Sequence, residues 1–232
     1  MPPPSHGNTF TRRRFLRSAG ATLLALASGV DGLANGSMDI ERMRTLMIER
    51  YGRDGDVALD AWLGLLRDLK DRSTADRLKG VNDFFNQRVR WIDDIQIWGK
   101  EDFWATPLET LAKGAGDCED YAIAKYQTLK RLGIPGRHLR MIYVRARVGR
   151  SDLSQAHMVL GYYATPSDEP QVLDNLLPTI LPASQRSDLS PVFSFNSDGL
   201  WTGGGSPSLA DPTQRLSRWR EVLQRMSKEG TL

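Results

Sequence analysis

Gly114-Ala-Gly-Asp-Cys-Glu-Asp-Tyr-Ala-Ile-Ala-Lys-Tyr-Gln-Thr-Leu-Lys-Arg-Leu-Gly133 is the stretch on which the reading of this 232-residue chain turns. Its leading glycines exclude a helix, and Gly133 closes the one that follows. Asp117 can cap the helix start, with Asp120 three residues on as in a capping box, so Cys118 falls at the first helical position. A thiol there meets the positive end of the helix dipole and unpaired backbone N–H groups, which favour a thiolate and offer an oxyanion site. A core cysteine would sit more naturally on the apolar stripe of Ala122, Tyr126 and Leu129. Cys118 is the single cysteine, so no internal disulfide can form.

A thiolate nucleophile needs a base, and the base an orienting acceptor. The chain has three histidines, His6, His138 and His157. His138, in the turn Pro-Gly-Arg-His-Leu, reads as a surface residue. His157 begins the strand-like His-Met-Val-Leu-Gly-Tyr-Tyr and can point from a sheet edge toward a helix N-terminus. Asp174 in Val-Leu-Asp-Asn-Leu is an acid inside an otherwise apolar strand, where a partner is expected; Asn175 beside it is the alternative orienter. Cys, His, Asp, on a helix and then on two successive strands, is the papain-type order.

Asp117, Glu119 and Asp120 surround the thiol with negative charge and oppose its ionisation. A bound cation would remove that conflict. Three carboxylates within four residues suit a hard ion, calcium rather than zinc because the ligands are oxygens. Caps and surface salt bridges are the other use for them.

Upstream, apolar spacing predicts helices over Met38 to Tyr51 and Val57 to Leu69, joined at Gly52 and Gly55. Ser73 or Thr74 caps a third, to about Val89, and Thr106-Pro107 opens a fourth in the N-cap, N1 arrangement. Residues 90–104 between them read as irregular and hold three of the six tryptophans. Trp98 is one candidate side-chain oxyanion donor, alongside the Cys118 N–H. Downstream the period changes to that of strands over Leu139 to Val148, Ala156 to Tyr163 and Gln171 to Leu176, with Pro191 to Phe195 as a further candidate. Residues 196–212 read as loop, and Pro212 to Lys228 as an amphipathic helix docked on its own domain. The expectation is an α+β fold with a helical lobe over about 38–133, an antiparallel sheet lobe over about 138–203 and the final helix.

The composition, 40% hydrophobic and 25% charged, is that of a globular domain. The formal charge is +3, but residues 1–34 carry four arginines against Asp31, leaving 27 bases and 27 acids in 35–232. No basic domain remains, and nucleic acid is not an expected partner. Arg12-Arg13, then Phe15-Leu16, Arg17 and an apolar run to Val30 make 1–34 an export signal resembling the twin-arginine type, which implies a periplasmic location.

Trp-Ala-Thr-Pro-Leu-Glu-Thr-Leu from Trp104, Gly-Asp-Cys-Glu-Asp-Tyr-Ala-Ile-Ala-Lys-Tyr, Ala-His-Met-Val-Leu from Ala156 and Val-Leu-Asp-Asn-Leu from Val172 together resemble the bacterial transglutaminase-like cysteine proteinases of the LapG type. The resemblance runs from about Asn82 to Trp201. It implies a papain/transglutaminase-like fold and a Cys-His-Asp endopeptidase with Cys118 as nucleophile, His157 as base and Asp174 as orienter. It also implies calcium held through Asp117, Glu119 and Asp120. Such enzymes cut the N-terminal region of a large surface adhesin at a dialanine-containing site, which releases the biofilm, and an inner-membrane receptor responsive to cyclic di-GMP restrains them. The alternatives are a transglutaminase or peptidoglycan-peptide amidase using the same triad, and a non-catalytic binding module.

Overall fold

The computed structural model describes residues 39–147, 149, 153–202 and 211–232, so the expected export signal lies outside the described residues. Gly52 stands at the expected join between the first two helices. The two expected N-terminal helices form one element, α1 (Ile40–Leu69), broken at Gly52 by a non-helical φ of 63°, which a glycine adopts without steric cost. Local signals set the next boundaries. Ser73 caps α2 (Thr74–Arg88) by accepting from the Asp76 N–H. Thr106 and Glu109 form a reciprocal capping box at α4 (Pro107–Lys113), with proline in its first turn.

The segment expected to be irregular contains a short helix, α3 (Asp94–Trp98), after a two-residue strand, β1 (Arg90–Trp91). β1 pairs in parallel with β2 (Ala115–Gly116), immediately before α5 (Cys118–Arg131). This small ladder places Asp94 beside the start of α5.

The remaining strands, β3 (Leu139–Arg147), β4 (Ser154–Tyr162), β5 (Gln171–Leu173), β6 (Leu181–Pro182), β7 (Leu189–Phe195) and β8 (Leu200–Thr202), form one antiparallel sheet in the order β6-β5-β4-β3-β7-β8. β8 lies within a stretch expected to be loop. Alternation along β3 and β4 sends Leu139, Met141, Met158 and Leu160 into the core shared with the helices, and Ile142, Val144 and Val159 into a second cluster with Val172. α5 is the central helix. Trp62 of α1 donates its indole N–H to Thr128 of α5 at 2.9 Å, and Tyr126 packs edge-on to Trp219.

The expected C-terminal helix is two, α6 (Pro212–Arg215) and α7 (Ser217–Glu229), interrupted at Leu216. Trp219, Val222 and Met226 are fully buried in the main core. At roughly 1.5–3 kcal/mol for each large apolar side chain, this docking is a substantial part of the fold's stability.

Candidate active site

Cys118 occupies the first position of α5, half-buried. Asp117 precedes it as the N-cap residue, but its side chain makes no capping hydrogen bond, and the first-turn N–H groups are left without a side-chain cap. Asp120 Oδ1 accepts from the Ala105 N–H at 2.7 Å, which ties the strap leading to α4 to the start of α5. The backbone passes so close that a Cβ on Gly116 would lie 2.7 Å from Asp120 Oδ2, so the loop before the cysteine requires glycine there.

His157 and Asp174 are joined, His157 Nε2 to Asp174 Oδ1 at 2.8 Å, and both are buried. Asp174 sits one residue past the end of β5 rather than inside a strand as expected, which frees its carboxylate from the pleat. Oδ1 also accepts from the Leu176 N–H at 3.0 Å, and Oδ2 from Arg186 at 2.7 Å. Burial pushes the carboxyl up, but the His157 and Arg186 contacts and the Leu176 N–H outweigh it and hold the group at about 2. Asp174 is therefore a carboxylate over the whole ordinary pH range. Asn175, the alternative orienter, leaves its side-chain oxygen buried with no partner. His138 is distant from this chemistry, its ring held by the Tyr163 carbonyl at 2.8 Å.

Cys118 and His157 line one cleft of about 470 Å³ between the helices and the sheet, with Trp91, Trp104, Tyr143 and Leu176 as its apolar walls. Among the described residues no hydrogen bond joins the thiol to the imidazole; the thiol donates to Glu119 Oε2 at 3.0 Å. Burial first, then the charge and hydrogen bond of Glu119 and the charge of Asp117, push the thiol well above its ordinary range. A larger cavity of about 740 Å³ lies beside α2 and the β4–β5 edge and contains neither Cys118 nor His157. Trp98 is not among the cleft-lining residues. Its ring packs on Phe103 at 4.6 Å and its indole N–H is buried without a partner, so it is not placed as an oxyanion donor.

The acids gather in overlapping groups. Asp117 converges with Glu119 about the Cys118 thiol and with Asp120 about Asp94, ligand atoms in each group lying within 4.8 Å of one another, and Glu119 also converges with Asp94 and Asp102. Glu119 and Asp120 are adjacent on a helix and diverge by about 100° around its axis. Asp94 belongs to both of the groups that consist of carboxylates alone, and nothing local in the sequence marks it as a ligand. Asp94 Oδ1, Asp117 Oδ1 and Asp120 Oδ2 are buried without hydrogen-bond partners. Burial and mutual repulsion raise Asp94 to about 6 and Asp117 to about 10, and burial with neighbouring acids raises Asp120 well above its usual range. Orphaned, hard oxygen donors at this spacing fit a calcium ion.

The family model for bacterial transglutaminase-like cysteine proteinases matches residues 67–188. This chain belongs to that family. LapG of Legionella pneumophila is 39% identical, covering 81% of this chain and 97% of its own, with a TM-score of 0.68. Its EGTA-treated form is 40% identical with the same coverages and a TM-score of 0.69. Its calcium-bound form is 40% identical over 81% of this chain and 98% of its own, also at 0.69. None of the curated proteins compared matches the chain.

The protein is accordingly a cysteine peptidase with the transglutaminase-like proteinase fold, and Cys118 is the one thiol in the chain. Two residues of this family member's site escaped the sequence reading. Asp94 stands in an aromatic segment with no helix or strand period to orient it. Arg186 follows β6 in a short 3₁₀ turn, where a lone arginine reads as surface although it is 2% exposed.

Proposed function

We propose that this chain is a calcium-dependent endopeptidase, exported to the periplasm, that cleaves the N-terminal region of a large surface adhesin and so controls biofilm release. The observation that carries the reading is the buried His157–Asp174 pair, whose imidazole lines the cleft that holds the only thiol, on a chain 40% identical to a calcium-bound LapG. In this reading an inner-membrane receptor responsive to cyclic di-GMP restrains the enzyme, and residues 1–34 are its export signal.

Asp174 holds Nε2 of His157, which leaves Nδ1 to take the thiol proton. The Cys118 sulfur attacks the scissile carbonyl carbon. The developing oxyanion is met by the Cys118 N–H at the uncapped start of α5. His157 returns its proton to the leaving amine as the C–N bond breaks. Water, deprotonated by the same imidazole, then hydrolyses the thioester and restores the thiol. Asp94, Asp117, Asp120 and Glu119 would hold calcium, whose charge would offset the repulsion between these carboxylates and a thiolate. Exposed Trp91 and Leu176 on the cleft wall would seat apolar side chains of an extended substrate.

The test is incubation of the purified protein with an adhesin N-terminal region, with calcium or EGTA, beside the Cys118→Ala variant. A single calcium-dependent cut at a dialanine-containing site, lost in the variant, is expected. Cleavage by the variant overturns the nucleophile, and a crosslinked product or a trimmed muropeptide seen by mass spectrometry overturns adhesin proteolysis.

A further inference from the structure

The ladder between β4 and β5 ends at the pair Leu160 and Leu173, so Asp174 lies beyond the last paired residue. Its backbone carbonyl instead accepts from two side chains of the helical half, Asn86 Nδ2 of α2 at 2.8 Å and Lys125 Nζ of α5 at 3.1 Å. We propose that Lys125 and Asn86 are positioning residues of the peptidase, clamping the Asp174 carbonyl so that its carboxylate stays on His157 at a set distance from Cys118. This rests on the reading of Cys118, His157 and Asp174 as the reacting groups.

Lys125 is seven residues, about two turns, from Cys118, and so lies on the same side of α5. It is 1% exposed and has no carboxylate within ion-pair distance among the described residues. Burying an ammonium with no counter-charge is costly, and a lysine retained there needs compensating contacts. Those contacts are the Asp174 carbonyl and the ring of Tyr121, 5.5 Å from Nζ. Burial draws the lysine down to about 7, against the pull of Asp174 and Asp83, but an amine donates to a carbonyl in either protonation state. Both donors leave the helices and end on one atom of the sheet half. They therefore determine how far the helix carrying the thiol stands from the pair that must deprotonate it. The Asp174 carboxylate, with three donors of its own to keep, tolerates little rotation of that peptide.

The test measures alkylation of Cys118 by iodoacetamide at fixed pH, and kcat and KM on the adhesin fragment, for Asn86→Ala and Lys125→Met in the wild-type and Asp174→Asn backgrounds. In the wild-type background each variant is expected to lower kcat and alkylation on the order of tenfold with KM unchanged, the scale of a sub-ångström misplacement. In the Asp174→Asn background the backbone carbonyl remains but the carboxylate it positions is gone, and less than a twofold further change is expected. Equal losses in both backgrounds, or a loss confined to melting temperature, overturn the clamp. If Lys125→Met does not fold, Asn86→Ala at its half-buried site decides alone. Wild-type alkylation and turnover in Asp174→Asn itself would overturn the triad beneath the proposal instead.

Discussion

Cys118 and Glu119, neighbours in sequence, are also partners in space: the thiol donates to Glu119 Oε2 at 3.0 Å, so the reacting sulfur is held by an acid rather than by the imidazole. Replacing Glu119 by glutamine removes the charge while keeping the shape. In EGTA, Glu119→Gln is expected to alkylate with iodoacetamide several-fold faster than wild type, because a thiolate is repelled by one carboxylate fewer. An unchanged rate would mean that burial alone keeps the thiol unreactive.

Calcium is expected to stabilise the fold. With free calcium at about a hundred times its Kd, the gain is about 2.7 kcal/mol, several degrees in melting temperature for a chain of this size. Asp94→Asn should lose most of that increment, since Asp94 alone belongs to both carboxylate groups. Scanning calorimetry in calcium and in EGTA makes the comparison; equal melting temperatures in the two would count against a calcium site.

Asp174 sets the acid limit of stability. Its carboxyl is at about 2 in the fold against an ordinary 3.8, so it contributes stability that is fully present above about pH 4 and is lost as pH falls through 2. The contribution is about 2 kcal/mol. Asp174→Asn should accordingly flatten the dependence of stability on pH between about 4 and 2, as read from urea melts at each pH.

Arg186 joins Asp174 to Asp188 while itself 2% exposed. Arg186→Met leaves the Asp174 carboxylate buried without its guanidinium. Truncating one partner of such a pair typically costs about 3–5 kcal/mol. The variant should unfold at lower urea, and its acid transition should move to higher pH, because Asp174 then protonates more easily. Turnover falling while the acid transition stays in place would contradict this assignment.

Gly116→Ala would set a Cβ 2.8 Å from that of Asp120, a distance that real contacts do not show. The strain is expected to cost about 1–3 kcal/mol and to displace Asp120. Calcium affinity by titration calorimetry should fall, and an unchanged affinity would show that Asp120 can move without loss.

Helix starts were readable because capping is local. Ser73, Thr106 with Glu109, and the glycine-led approach to Cys118 each act over about three residues, the range at which sequence spacing is spatial spacing. The strand period likewise marked β3 and β4, and Asp174 was found by the cost of an acid in an apolar run, although the run ends as a strand just before it. The break at Gly52 falls where the glycines placed it, whereas the interruption at Leu216 depends on how the last helix must bend to cover the core, which the local pattern does not carry.

The sequence by itself determined that a single thiol begins a helix among acids, that a histidine follows on a strand and that an aspartate follows in an apolar run. Tertiary structure decided which of these groups meet. The parallel pairing of Arg90 with Ala115 brings Asp94 to Asp120 across 26 residues, and the turn after β6 carries Arg186 under Asp174. The second arises because an unpaired buried carboxylate is so costly that a distant cationic side chain must come to it, whereas the first gathers like charges that only a cation between them would offset; no local periodicity encodes either.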